Sequence, residues 1–371
     1  TNYDEWGYGA YYLNISDVQG DQGGWVFVNF HRSFLDDEPL NNRSSEDYYV
    51  QIQNDDIWVT VASSPTYGEE YYTVLAPTTT DSSAVSDGLL NFRIIANMDA
   101  GNFVSETVQG YSVDNIHPTT PSLMSAEHEG DDITINWQYE LEEDFNYHEI
   151  TGLWNTTYST ENTLDYELSA TNDEHRIQSV DINDNQSEES QSLLSRKLNA
   201  GANLISFNVL PEDVTVSNVL SSLGCNVTGV ITEGGACSQI ACGTWVGSHC
   251  TIHPKHGYWI IVNEDDILLV IGYPTDRNEP YPLPLHAGAN LIGYPYRYAT
   301  PTSNALPDDI EASVVGVITE GGACSQISVG TWIGSHCDIQ PDHGYWVILN
   351  YEESTDFIGT PIRHDLEYEL H

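Results

Sequence analysis

Positive charge is nearly missing from this chain of 371 residues: 10 Lys and Arg stand against 56 Asp and Glu, for a formal charge of -46 at pH 7. Such a surface repels a phosphate backbone, which excludes nucleic acid as a partner, and it offers no basic patch to an anionic membrane. Only Lys197 and Lys255 are lysines. A surface this acidic suits seawater or brine, where salt screens the self-repulsion. Long apolar runs are missing too: no 18-residue stretch could span a bilayer, so the chain reads as soluble. C-x-x-C pairs, G-x-S-x-G and H-E-x-x-H are absent, and the nearest approach to a phosphate loop, Glu233-Gly-Gly, has no lysine. These gaps leave no recognisable catalytic constellation, and the chain reads as non-enzymatic.

What is present is ample for packed cores. Apolar residues make up 40% and aromatics 11%, with 23 Tyr and 9 Trp, too rich for a disordered acidic tail. Single cores rarely grow past about 250 residues, so several domains are expected. The start at Thr1, without Met or an apolar leader, reads as a mature product after removal of an export signal, or as a fragment. Export also suits six cysteines without metal-knuckle spacing. Sequons at Asn14, Asn42, Asn155, Asn185 and Asn226 are compatible with glycosylation outside the cell, although short polar motifs of this kind also arise by chance.

The C-terminal half repeats itself at a spacing of 87 residues. GVITEGGACSQIACGTWVGSHC from Gly229 to Cys250 returns as GVITEGGACSQISVGTWIGSHC from Gly316 to Cys337, with HGYW after both. Tandem duplication of one β-rich module follows. Val216, Val219, Leu220 and Leu223 fall at helical spacing and predict a short helix in the first copy; Pro307 predicts a shorter or displaced one in the second. Cys237 and Cys250 recur as Cys324 and Cys337, whereas Cys225 and Cys242 are lost together to Ala312 and Val329. Loss as a pair points to pairing in space, so the expected bridges are Cys237 to Cys250, Cys324 to Cys337 and Cys225 to Cys242. The rival reading places zinc or copper among His249, Cys250, His253 and His256, but His253 becomes Gln340 in the second copy.

The N-terminal half carries short strand-like runs separated by turn chemistry such as Asp21-Gln-Gly-Gly. VQGDQGGWVFVNFHRS from Val18, GYSVDNIHPTTPSLMSA from Gly110, ITINW from Ile133 and HRIQSVDINDNQS from His175 resemble fibronectin type III domains of large secreted bacterial surface proteins. That resemblance covers about the first 190 residues and implies two β-sandwiches. It departs from the family at His175, where a tyrosine is usual. The duplicated GxNLIS and EGGAxSQI…GYW blocks resemble another module of such exported proteins and imply no enzymatic activity. The expected fold is mainly β: a fibronectin type III-like domain over 1–117, a second over 118–194, one repeat module over 195–280, and its copy with a C-terminal tail over 281–371.

Two further constellations stand out. Asp181-Ile-Asn-Asp-Asn packs acids and amides into a turn, which makes Asp181, Asn183 and Asn185 candidate calcium ligands; ordinary Asx-turn chemistry is the alternative, and no cofactor is certain. Runs such as Glu142-Glu143-Asp144 read as a solvated acidic face. Aromatics cluster near the start and at the junction of the repeats, and Trp6, Tyr8, Tyr11, Tyr12, Tyr294, Tyr296 and Tyr368 are candidate interface anchors. The leading expectation is an extracellular structural subunit that polymerises with itself head to tail through its terminal segments. The alternative is an adhesin or accessory region that holds a polysaccharide.

Overall fold

The computed structural model describes residues 8–36, 46–83, 86–275, 284–306, 308–350 and 357–358. Its chain divides into two compact units, the first comprising Thr1–Thr119 with Leu141–Tyr147 and Ser179–Ser187, and the second the remainder.

Strict alternation builds the first unit. In Trp25–His31 every second residue (Val26, Val28, Phe30) points inward, because a strand's side chains alternate faces and only one face is buried. Its strands are β1 (Tyr11–Asp17), β2 (Trp25–His31), β3 (Asp47–Asn54), β4 (Ile57–Pro65), β5 (Tyr71–Pro77), β6 (Asp81–Ser82), β7 (Leu90–Met98), β8 (Gly101–Val104), β9 (Val108–Gly110) and β10 (Ser112–Val113). One sheet runs β1-β2-β5; the other runs β4-β3-β7-β8, with β9 also on β7. Three strands over five, with β8 and β9 pairing successive stretches of β7, is the fibronectin type III-like sandwich. Tyr48 and Tyr72 anchor its core, and both hydroxyls bond the carboxylate of Asp36, which is itself fully buried. Burial pushes both phenols far above their ordinary range, so they stay protonated donors to that carboxylate.

The same order returns in the second sandwich. There β11 (Ser122–Glu129), β12 (Asp132–Gln138) and β15 (Thr163–Glu167) form one sheet, in the order β11-β12-β15. The other is built from β13 (Phe145–Thr151), β14 (Thr156–Ser159), β16 (Asn172–Asp181) and β17 (Ser192–Leu198). This second sheet does not stop at its own domain. Strand β17 pairs along its whole length with a strand of the first repeat, Asp266–Pro274, giving a six-stranded sheet. Strand β16 is buried along almost its whole length although it opens Asn-Asp-Glu-His-Arg, so its charges need partners inside. His175 is buried against the Tyr166 ring at 4.3 Å. Tyr166 supplies the internal hydroxyl bond, 2.8 Å to Ser195.

The first repeat contains β18 (Gly201–Ile205), β19 (Val209–Leu210), α1 (Val216–Val219) with a 3-10 turn behind it, β20 (Val227–Thr232), β21 (Gly235–Ala241), β22 (Thr244–Gly247), β23 (Tyr258–Val262) and β24 (Asp266–Pro274). The second contains β25 (Pro284–Leu285), β26 (Gly288–Gly293), β27 (Thr300–Pro301), α2 (Thr302–Ala305), α3 (Asp308–Glu311), β28 (Val314–Thr319), β29 (Gly322–Ser328), β30 (Thr331–Gly334), β31 (Asp338–Ile339), β32 (Gly344–Leu349) and β33 (Phe357–Ile358). Each copy is centred on a five-stranded sheet, β18-β23-β20-β21-β22 in the first and β26-β32-β28-β29-β30 in the second. Both expected helices are single turns, and Pro307 lies outside the described residues. Cys225 is bridged to Cys242, Cys237 to Cys250 and Cys324 to Cys337.

The copies clasp each other reciprocally. Leu204 N–H donates to Glu320 at 2.8 Å while Leu291 N–H donates to Glu233 at 2.7 Å. Ile205 bridges His343, and Ile292 bridges His256. Ser206 N–H donates to the Asp342 carbonyl and Gly293 N–H to that of Lys255. Each of these contacts has its mate one repeat away, which is the signature of an isologous interface, here closed within one chain. It also explains the glycine of HGYW: a Cβ on Gly257 would stand 2.7 Å from Leu291, and one on Gly344 would stand 2.8 Å from Leu204.

Candidate functional site

Three carboxylates converge in the first unit. Asp114 follows β10, Asp144 precedes β13, and Asp181 ends β16; one oxygen from each lies within 4.8 Å of the others. Asp114 and Asp181 are buried and Asp144 half-buried. Among the described residues this is the group of His, Cys, Asp and Glu side chains with metal-binding proximity. Hard oxygen donors at this density suit Ca2+ rather than a soft metal.

The 181–185 turn holds the cluster in place. Asp181 Oδ1 accepts the backbone N–H of Asn183 at 2.8 Å and of Asn185 at 2.9 Å, an Asx turn that lets Asp184 adopt φ +68°. Asn183 Nδ2 donates to Asp114 Oδ2 at 2.9 Å, and Asn185 Nδ2 donates to Asp181 Oδ2 at 2.9 Å and to the Asp114 carbonyl. The amides of Asn183 and Asn185 thus position the carboxylates of Asp114 and Asp181, and their Oδ1 atoms are the ones a cation would take. The other two acids, Asp114 and Asp144, were not singled out by the sequence, because nothing local ties residues 114, 144 and 181 together. Burial, with Asp114, Asp181 and Glu142 nearby, pushes the Asp144 carboxyl above the ordinary range.

The sign of the resulting pH dependence follows. A carboxyl whose folded pKa is raised adds stability below its unfolded pKa and loses it as pH rises through the folded value. Without divalent cation, thermal stability of the first unit should fall as pH rises above the ordinary carboxylate range, and about 1 mM CaCl2 should restore it near neutrality. Asp144→Asn should flatten both responses. A melting midpoint indifferent to calcium near neutrality would show that the cluster is an Asx-turn network alone.

The remaining candidates sort by burial. Tyr294 and Tyr296 are core residues, not interface anchors: they are 0% and 3% exposed, and the Tyr294 hydroxyl donates to Thr300 Oγ1. Tyr8 is partly exposed and stacks on Phe103. Tyr12 is 74% exposed and joins Tyr11, His31 and Tyr71 in a ladder of rings. Trp6, Tyr368 and Asn42 lie outside the described residues. Asn185 and Asn226 do not offer free sequon amides, since Asn226 Nδ2 donates to Asp266 at 2.7 Å and Asn185 is committed as above. Asn14 and Asn155 are exposed. All six cysteines are bridged, which removes sulfur from the His249, His253 and His256 group.

A second surface appears on the outer side of the β1-β2-β5 sheet. Trp25, Phe27, Tyr71 and Leu75 stand exposed there, and Asn29 and Thr73 are hydrogen-bonded between them.

No protein-family model matches the chain, and no curated protein matches it. Among solved structures it is similar to the crystal structure of the chicken CNTN1 FN1-FN3 domains, at 13% identity and a TM-score of 0.22. That alignment covers 49% of this chain and 64% of the other. An overlap this loose adds nothing to the strand order already described.

Proposed function

We propose that this chain is a non-enzymatic extracellular structural protein, a subunit of a surface or extracellular filament assembled head to tail. The observation that carries the reading is the oxidation of all six cysteines inside duplicated, reciprocally clasped modules. Such bridges persist in oxidising compartments and stiffen small β modules into beads suited to load-bearing chains. Calcium at Asp114, Asp144 and Asp181 would pin three distant segments of the first unit together. The charge of -46 supports a saline setting, where subunits can approach one another.

A second reading, a carbohydrate-holding adhesin, is favoured by one observation. The exposed rings of Trp25, Phe27 and Tyr71 share one sheet face with polar Asn29 and Thr73, and sugars offer both C–H faces for stacking and hydroxyls for bonding. Glycan-array binding and light scattering on the oxidised full chain separate the two. Concentration-dependent growth of large species without glycan affinity is the expected result. Micromolar binding to one polysaccharide by a persistent monomer, lost in Trp25→Ala and Tyr71→Ala, would give the second reading its place.

A further inference from the structure

We propose that the outer faces of the two repeat sheets are self-association surfaces, each taking the same face of a second copy of this chain. The inference rests on the assembly reading above and names a surface for it, with like faces meeting in place of head-to-tail contacts.

In a chain with 56 acidic residues, the strands β20, β21 and β22 read VTGVIT, GACSQIA and TWVG, and β28, β29 and β30 read VVGVIT, GACSQIS and TWIG. Not one charged residue occurs in them. Alternation sends Val230 and Cys237 into the core and leaves Ile231 and Val246 outside, 45% and 58% exposed. Their repeat mates Ile318 and Ile333 are 45% and 60% exposed. Ile240 and Ile327 add 68% and 64% at the next matched position. Solvent-facing isoleucine costs nothing by itself, but the same apolar positions open in both copies make a patch rather than a scatter.

The face is continuous with an interface already formed between two modules of this kind. Cross-strand pairing sets Leu204, Trp259, Ile231 and Ala236 in one row across the sheet. The row begins at the clasp, where Leu204 is 1% exposed, and emerges at Ile231. In the second copy Leu291, Trp346, Ile318 and Ala323 repeat it, from 3% exposed at Leu291. The outermost strands β22 and β30 also lack the lysine, proline or inward charge with which edge strands ordinarily deter a neighbour.

Charge selects the occupant. Two chains that each carry -46 repel wherever their acids face, so they can touch only where neither has any. Depletion of charge with retained aliphatic and Trp side chains is the composition of an interface centre. One face per copy gives each chain two equivalent valences, and two self-complementary contacts that do not close on each other propagate a linear polymer.

Light scattering and sedimentation of the full chain in about 1 M NaCl, where the Debye length is about 3 Å, read the inference directly. Wild type should form large species. Ile333→Asp, which blocks one face, should stop growth at two chains. Val246→Asp combined with Ile333→Asp should leave monomers whose circular dichroism and melting midpoint match wild type. If the aspartates unfold the sheet, the β-branched pair Val246→Thr and Ile333→Thr should weaken assembly in the same direction. Undiminished assembly by a folded double variant overturns this surface and leaves the assembly reading standing. A wild-type chain that stays monomeric at every concentration overturns both.

Discussion

Arg196→Met should cost about 3–5 kcal/mol of unfolding free energy at about pH 8 and distinctly less at about pH 5.5. Arg196 lies fully inside the second unit beside Asp342, which is 0% exposed. Asn172 donates to Asp342 at 2.8 Å, and nearby Asn208 donates to Glu174 Oε2 at 2.8 Å. Burial outweighs the attraction of Arg196 and pushes the Asp342 carboxyl up to about 7. A raised carboxyl pKa means that stability from this group is complete below the unfolded value of 3.8 and is lost as pH rises through about 7. Removing the guanidinium leaves Asp342 charged and alone above that range, and neutral below it. Urea unfolding at the two pH values checks this. An equal penalty at both would mean that Arg196 acts through packing of its stem and not through charge.

The second large effect belongs to the repeated bridge. Replacing Cys237 and Cys250 together by Ala should remove about 3 kcal/mol, because the bridge closes a short loop in the unfolded chain. Its sequence separation is 13, and Cys237 is fully buried among Val230, Tyr258 and Ile260, so truncation there adds a small cavity. For a unit of this size the midpoint should fall by about 6–12 °C. Replacing Cys225 and Cys242 should cost less, since that bridge has no counterpart in the second copy, which folds with Ala312 and Val329 in its place. Calorimetry on the two double variants gives the order. If the Cys225–Cys242 variant loses more, the shared bridge is not what holds the module sheet.

Much of this architecture was legible because it was written twice. Alignment of the copies showed which cysteines could pair, and short strand-like runs divided by turns such as Asp21-Gln-Gly-Gly marked the sandwiches without help from tertiary contacts. Two kinds of feature stayed hidden. Tyr294 and Tyr296 look like surface anchors in sequence, but Thr300, six residues on, satisfies the Tyr294 hydroxyl and lets the ring go inside. Asp144 sits in an acidic run that carries no local signal, and only the fold brings it to Asp114 and Asp181. The reciprocal clasp of Leu204 with Glu320 and of Leu291 with Glu233 was also unreadable, since a duplication does not say whether its copies face each other or stand apart.

Electron microscopy of the oxidised full chain, in about 1 M NaCl with about 1 mM CaCl2, tests the central claim most directly. The account predicts regular filaments whose length grows with protein concentration. Dispersed single particles at every concentration would contradict it.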